Sequence, residues 1–152
     1  MNIDNNLRQL LENETKIHLA EIRFLYQKLD RQFGLHAAKV PITFGLDEDR
    51  LGAYTPGFGQ DEEEFHFSLL FIGYCVSKPL SKSDRMDLYK HEYAHYMQYN
   101  MHIPDKYNWQ PGIHGSAWKY CCSLIGAAPT PYYKAGESLM KYDYDKVLKK
   151  KI

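Results

Sequence analysis

Five consecutive residues, His91-Glu92-Tyr93-Ala94-His95, carry the chemistry most readily legible in this chain. Two histidines four positions apart differ by about 40° around an α-helix and by about 6 Å along it, so both imidazoles can reach one metal ion from the same face. Glu92 then stands beside the metal without ligating it. From there a carboxylate can take a proton from a zinc-bound water as it attacks a carbonyl, and deliver that proton to the leaving amine. Catalytic zinc usually has three protein ligands and one open position, so a third ligand has to come from elsewhere. His114 is the best candidate: it follows a loop long enough to reverse the chain, it stands where a new helix begins, and Gly115 beside it lets the backbone approach closely. His102 is weaker, because on a continuing helix it would lie about 10 Å along the axis from His95. An acidic residue such as Glu137 is the remaining alternative.

These side chains need elements to hold them. Residues 84–100 read as the helix that bears the motif: Pro79 breaks the chain ahead of it, Ser81 or Ser83 can cap it, and Asp84 and Asp87 put negative charge where the helix dipole favours it. Residues 101–113, with Pro104, Asn108, Pro111 and Gly112, read as an irregular loop. A short helix is expected from His114, with His114, Trp118, Cys121 and Ile125 on one side and Gly126 with Pro129 as its stop. Upstream, Ile3, Leu7, Leu10 and Leu11, then Ile22, Leu25, Tyr26, Leu29 and Phe33, have helical spacing that Gly34 ends. Residues 40–44 and 51–55 read as short strands, the acidic run 61–64 as a solvated turn, and the apolar stretch 65–76 as containing a buried strand. The tail, 132–152, reads as a surface helix with a frayed end.

Composition narrows the classes of function. A chain of 152 residues, 44% of them hydrophobic, fits one domain over 1–152 and can build a core without disulfides. Nineteen Lys and Arg balance nineteen Asp and Glu, so the overall field gives no support to DNA association and no general attraction to anionic lipid. Lys149 to Lys151 is too short a basic run to alter that. Cys75, Cys121 and Cys122 are few, odd in number and partly adjacent, which suits a reducing compartment, and Cys121 has the spacing of a core residue. The amino end lacks the uninterrupted apolar stretch of a signal peptide, and no run approaches membrane-spanning length, so the expected location is the cytoplasm. Thirteen tyrosines suit either a groove or a core whose hydroxyls find partners.

Other zinc-hydrolase patterns fit less well. The metzincin extension needs a glycine and then a histidine where this chain has Gln98 and Met101. Peptide deformylases add an upstream cysteine ligand, which Cys75-Val76-Ser77 faintly matches, but their glycine-rich, glutamine-bearing element is missing. The chain resembles the SprT-like family of zinc metallopeptidases, whose members carry H-E-x-x-H on a helix followed, after a loop, by His-Gly, an aromatic residue and a short helix. The matching residues are His91 to His95, then His114-Gly115-Ser116-Ala117-Trp118, then Leu124-Ile125-Gly126-Ala127 leading into Pro129-Thr130; weaker likeness lies in 25–34 and 51–54, so that it covers roughly residues 20–131. The resemblance implies an α+β, zincin-like fold with a small sheet packed on helices, one catalytic zinc held by His91, His95 and His114, Glu92 as base, and a protein or peptide substrate. Many members continue into a cysteine-bearing zinc ribbon, and the eukaryotic ones add DNA-binding regions; this chain has neither a C-x-x-C nor such a region. The alternative expectation is a zinc-stabilised binding module, nucleic-acid associated or not, that turns nothing over.

Overall fold

The computed structural model describes residues 2–58, 61–72 and 80–129. Within them the fold is α+β: four α-helices and one mixed sheet of three strands. Helix α1 (Asn2–Phe33) is about 48 Å long at 1.5 Å per residue. Only its second half reaches the core fully, through Ile22, Tyr26 and Leu29, while Leu7 and Leu10 stay largely exposed. Gly34 takes the left-handed conformation (φ 68°) that ends the helix, and the Leu35 N–H closes the turn on the Asp30 carbonyl at 3.0 Å. The Asp30 carboxylate then accepts from the Ala37 and Ala38 N–H groups at 2.9 and 2.8 Å, which fixes the 3-10 turn Ala37–Lys39 against the helix end.

Strands β1 (Ile42–Gly45) and β2 (Gly52–Thr55) flank β3 (Glu64–Ser68), parallel on the β1 side and antiparallel on the β2 side. Alternation along β3 sends Phe65 and Phe67 into the core and His66 to the other face. There His66 bonds Thr43 Oγ1 at 2.8 Å and Asp47 at 2.5 Å, as a hydrogen-bonded rather than a site histidine. One expectation needs correction here. The acidic run is not all turn, because Glu64 pairs with Thr55 as the first residue of β3. The apolar stretch after it contains the expected buried strand in residues 65–68, and the chain then turns at Leu69 into the short helix α2 (Leu69–Ile72), burying Leu69 and Ile72. A run of consecutive apolar residues has no period to separate strand from helix. Residues 75–77, Pro79, Glu137 and the tail 132–152 lie outside the described residues.

Helix α3 (Lys82–Asn100) begins where Ser81 Oγ accepts from the Asp84 N–H, at 3.2 Å, and runs through the middle of the molecule. Its tyrosines form the seam with α1 and the sheet: Tyr26 packs on Phe65 and Tyr93, and Phe67 on Tyr89, at centroid separations of 4.9, 5.0 and 5.3 Å. Each buried hydroxyl has a partner. Tyr26 donates to the Tyr89 carbonyl at 2.6 Å, Tyr93 to Asp30 at 2.9 Å, and Tyr89 to Glu21 at 3.0 Å. Burial raises the pKa of all three phenols, so they stay neutral donors. The abundance of tyrosine is therefore in good part a core solution. Helix α4 (Ser116–Ile125) packs on the opposite side of α3 through Trp118, Cys121, Cys122 and Ile125. It begins two residues later than expected, because Ser116 is tied to Gln110 through both its N–H and its hydroxyl, leaving His114 in the turn ahead of it.

Candidate metal centre

Every residue from His91 to Met97 is buried, so α3 has no solvent face over two turns and the motif lies in the interior. Tyr89, Tyr93 and Tyr96 take the side toward α1 and the sheet, which leaves His91 and His95 to point toward α4. The third imidazole arrives on a tight loop. The Gly115 N–H bonds the Gly112 carbonyl at 3.2 Å, the Ser116 N–H bonds the Gln110 carbonyl at 3.1 Å, and Gln98 on α3 donates to the Gly112 carbonyl at 3.4 Å. Gly115 is required there by space: a Cβ would lie 2.2 Å from the Gln110 carbonyl oxygen and 2.7 Å from that of Pro111.

The outcome is convergence of three ring nitrogens. His114 Nε2 is 3.1 Å from His95 Nε2 and 3.4 Å from His91 Nε2, and the ligand atoms of all three lie within 4.8 Å of one another. Nitrogens bound at 2.0–2.1 Å around a tetrahedral ion sit about 3.3 Å apart, so this donor set fits one metal ion. Its protonation fits too. Burial first, then the two neighbouring histidines, push His95 down to about 2, and burial with Lys119 lowers His114. A neutral imidazole keeps one ring nitrogen with a lone pair free to ligate a cation, so lowered values at His95 and His114 suit them as ligands. Among the described residues no other cluster of His, Cys, Asp and Glu meets the same test.

Trp118 backs the whole set. Its indole stacks on His95 (5.2 Å, 21°), meets His91 and His114 edge-on at 4.7 and 4.8 Å, and donates its Nε1–H to the His91 carbonyl at 3.3 Å. Sequence spacing put Trp118 on the same side as Cys121 and Ile125, and it is fully buried there; its contact with all three rings depends on the turn that carries His114 back over the first turn of α4. Glu92 is 4% exposed and faces the same cleft, and burial pushes its carboxyl up to about 8, against the opposing field of Arg50. A carboxyl so poised exchanges a proton near neutrality. The cleft, of about 340 Å³, is walled by α3 on one side and by β2 with the loop before it on the other. Arg50 and Asp49 on that loop carried no signal in the sequence, since nothing local ties an exposed loop to a helix forty residues on.

The remaining candidates fall away from the centre. His102 is exposed, and so is His36. His18 is buried between α1 and α3, 2.9 Å from Glu14 and 3.4 Å from the Tyr89 hydroxyl. Cys121 and Cys122 are free, buried thiols, the first pushed up to about 12 by burial, as suits packing rather than ligation. No helix among the described residues is long and apolar enough to cross a membrane. In comparison with known proteins, the chain matches no protein-family model, no curated protein and no solved structure.

Proposed function

We propose that the chain is a zinc-dependent peptide hydrolase of the zincin type, with His91, His95 and His114 as ligands and Glu92 as the group that moves the proton. The observation that carries this reading is the convergence of three Nε2 atoms beside a buried carboxylate that is not itself among the ligand atoms. Zinc, when bound, supplies Lewis-acid chemistry, polarising a carbonyl and acidifying water. The protein's own part is to hold three neutral imidazoles in place, to keep the carboxyl of Glu92 out of bulk water, and to present a peptide. For the last of these, β2 is an edge strand of the sheet and lines the cleft. In its antiparallel pairing with β3, Leu51 accepts from Ser68 and the register places Ala53 opposite His66, so Gly52 and Tyr54 direct their N–H and C=O groups to the unpaired edge. An extended peptide laid on that edge passes the histidines. The SprT-like resemblance of His91 to His95 and of 114–118 supports the same reading.

A second reading, a zinc-stabilised binding module, has one observation in its favour: a metal at this place also clips the turn before α4 to α3, a role that needs no turnover. Metal content by elemental mass spectrometry, on wild type and Glu92→Gln, together with cleavage of casein or a peptide, separates the two. The hydrolase reading expects one zinc per chain in both proteins and a loss of turnover of about 100-fold or more in Glu92→Gln. Zinc in both with no cleavage in either favours the module, and no zinc in either removes the site.

A further inference from the structure

Large apolar side chains stand in water beside this centre. Tyr99, Phe58 and Ile113 are 41, 61 and 60% exposed, and Tyr99 and Ile113 line the cleft itself. Their places in the chain tie them to the ligands. Tyr99 follows His95 by four residues on α3, as His95 follows His91, so the three share one helix face, and Ile113 directly precedes His114. Tyr99 therefore sits about 6 Å beyond His95 along the helix, close to the length of two residues of extended chain. Its ring is not loose: Tyr54 packs against it at 6.2 Å and Phe58 at 5.5 Å, edge to face, so it is held as a wall.

We infer that the cleft selects peptides bearing a large apolar side chain within two residues of the bond to be cut, received between Tyr99 and Ile113. This rests on the hydrolase reading above and deepens it to a substrate class. Tyr99 is the specificity-determining residue: it contributes an apolar face that small or charged side chains of the substrate do not fill, and it takes no part in the proton transfer. A hydrophobic pocket of this kind discriminates modestly, by roughly ten-fold or somewhat more between a large apolar and a small side chain.

The test uses the zinc-loaded full chain in three forms, wild type, Tyr99→Ala and Tyr99→Phe, with two readouts. The first is the set of bonds cut in a defined peptide mixture, identified by mass spectrometry. The second is calorimetric affinity for two zinc-chelating peptidyl hydroxamates, one with a leucine and one with a glycine beside the chelating group. The expected result is enrichment of large apolar residues near the cut bond and roughly ten-fold tighter binding of the leucyl compound. Both preferences should vanish in Tyr99→Ala and persist in Tyr99→Phe, with zinc content unchanged throughout. Cleavage without that enrichment, or a leucyl preference that survives Tyr99→Ala, overturns the assignment while leaving the hydrolase standing. Hydroxamate binding without cleavage of any peptide overturns the hydrolase reading, and this inference with it.

Discussion

Trp118 touches each of the three imidazoles and holds the His91 carbonyl, so it fixes ring orientations that a metal would otherwise have to select for itself. Partners of this kind behind the ligands are commonly worth 10- to 100-fold in metal affinity. Trp118→Leu is expected to weaken zinc binding by roughly 10-fold, measured by competition with a chromophoric chelator, and Trp118→Phe to recover part of that loss by keeping an aromatic wall. Equal affinities in all three proteins would make the indole a packing residue only. At this scale the sequence was most informative where chemistry and spacing coincide. Histidines at i and i+4 have one geometric meaning on a helix, and His91, His95 and His114 do converge. The loop residues that face them, Asp49 and Arg50, could not be read, because their approach depends on the turn of the sheet rather than on anything near them in the chain.

At the scale of elements, α1 and α3 are joined by a charged clamp as well as by tyrosine packing. Arg85 on α3 meets Glu21 on α1 through two bonds, Nε to Oε1 at 3.0 Å and Nη2 to Oε2 at 3.1 Å. Burial tends to raise the Glu21 pKa, but the bonds from Arg85 and Tyr89 outweigh it and hold the carboxyl below its ordinary value. A depressed folded-state value means stabilisation that is present above the unfolded carboxylate pKa and lost as pH falls through the folded one. Glu21→Gln should therefore cost about 1 kcal/mol at pH 7 and progressively less toward pH 3, measured by urea denaturation across that range. A cost that does not change with pH would assign the effect to packing. The elements themselves were legible in proportion to their punctuation. Gly34 and Ser81 mark their helix ends in the sequence, and both boundaries fall there to within a residue or two. The end of β3 has no such mark, and Ser68 passes straight into α2 because burial, not local preference, decides it.

For the molecule as a whole, a ligand that binds only the folded state adds stability by mass action. Free zinc at a hundred times the dissociation constant contributes about 2.7 kcal/mol, which for a domain of this size moves the melting temperature up by roughly 5–10 °C. The shift is expected in wild type and in Glu92→Gln alike, to be reversed by a chelator, and to be absent from His114→Ala; a shift of the same size in His114→Ala would remove the third ligand. The three histidines also differ from the rest of the fold in how far apart they lie along the chain. His91 and His114 are 23 positions apart, whereas the bond from Tyr26 to the Tyr89 carbonyl that joins α1 to α3 spans 63. Closing a loop costs entropy that grows with its length, so the two histidine-bearing segments meet at a smaller entropic cost than do the first helix and the third. If the three histidines take up an ion during folding, it would favour the pairing of α3 with α4 ahead of the docking of α1 and the sheet, and metal supply would then set the order of assembly as well as the state reached.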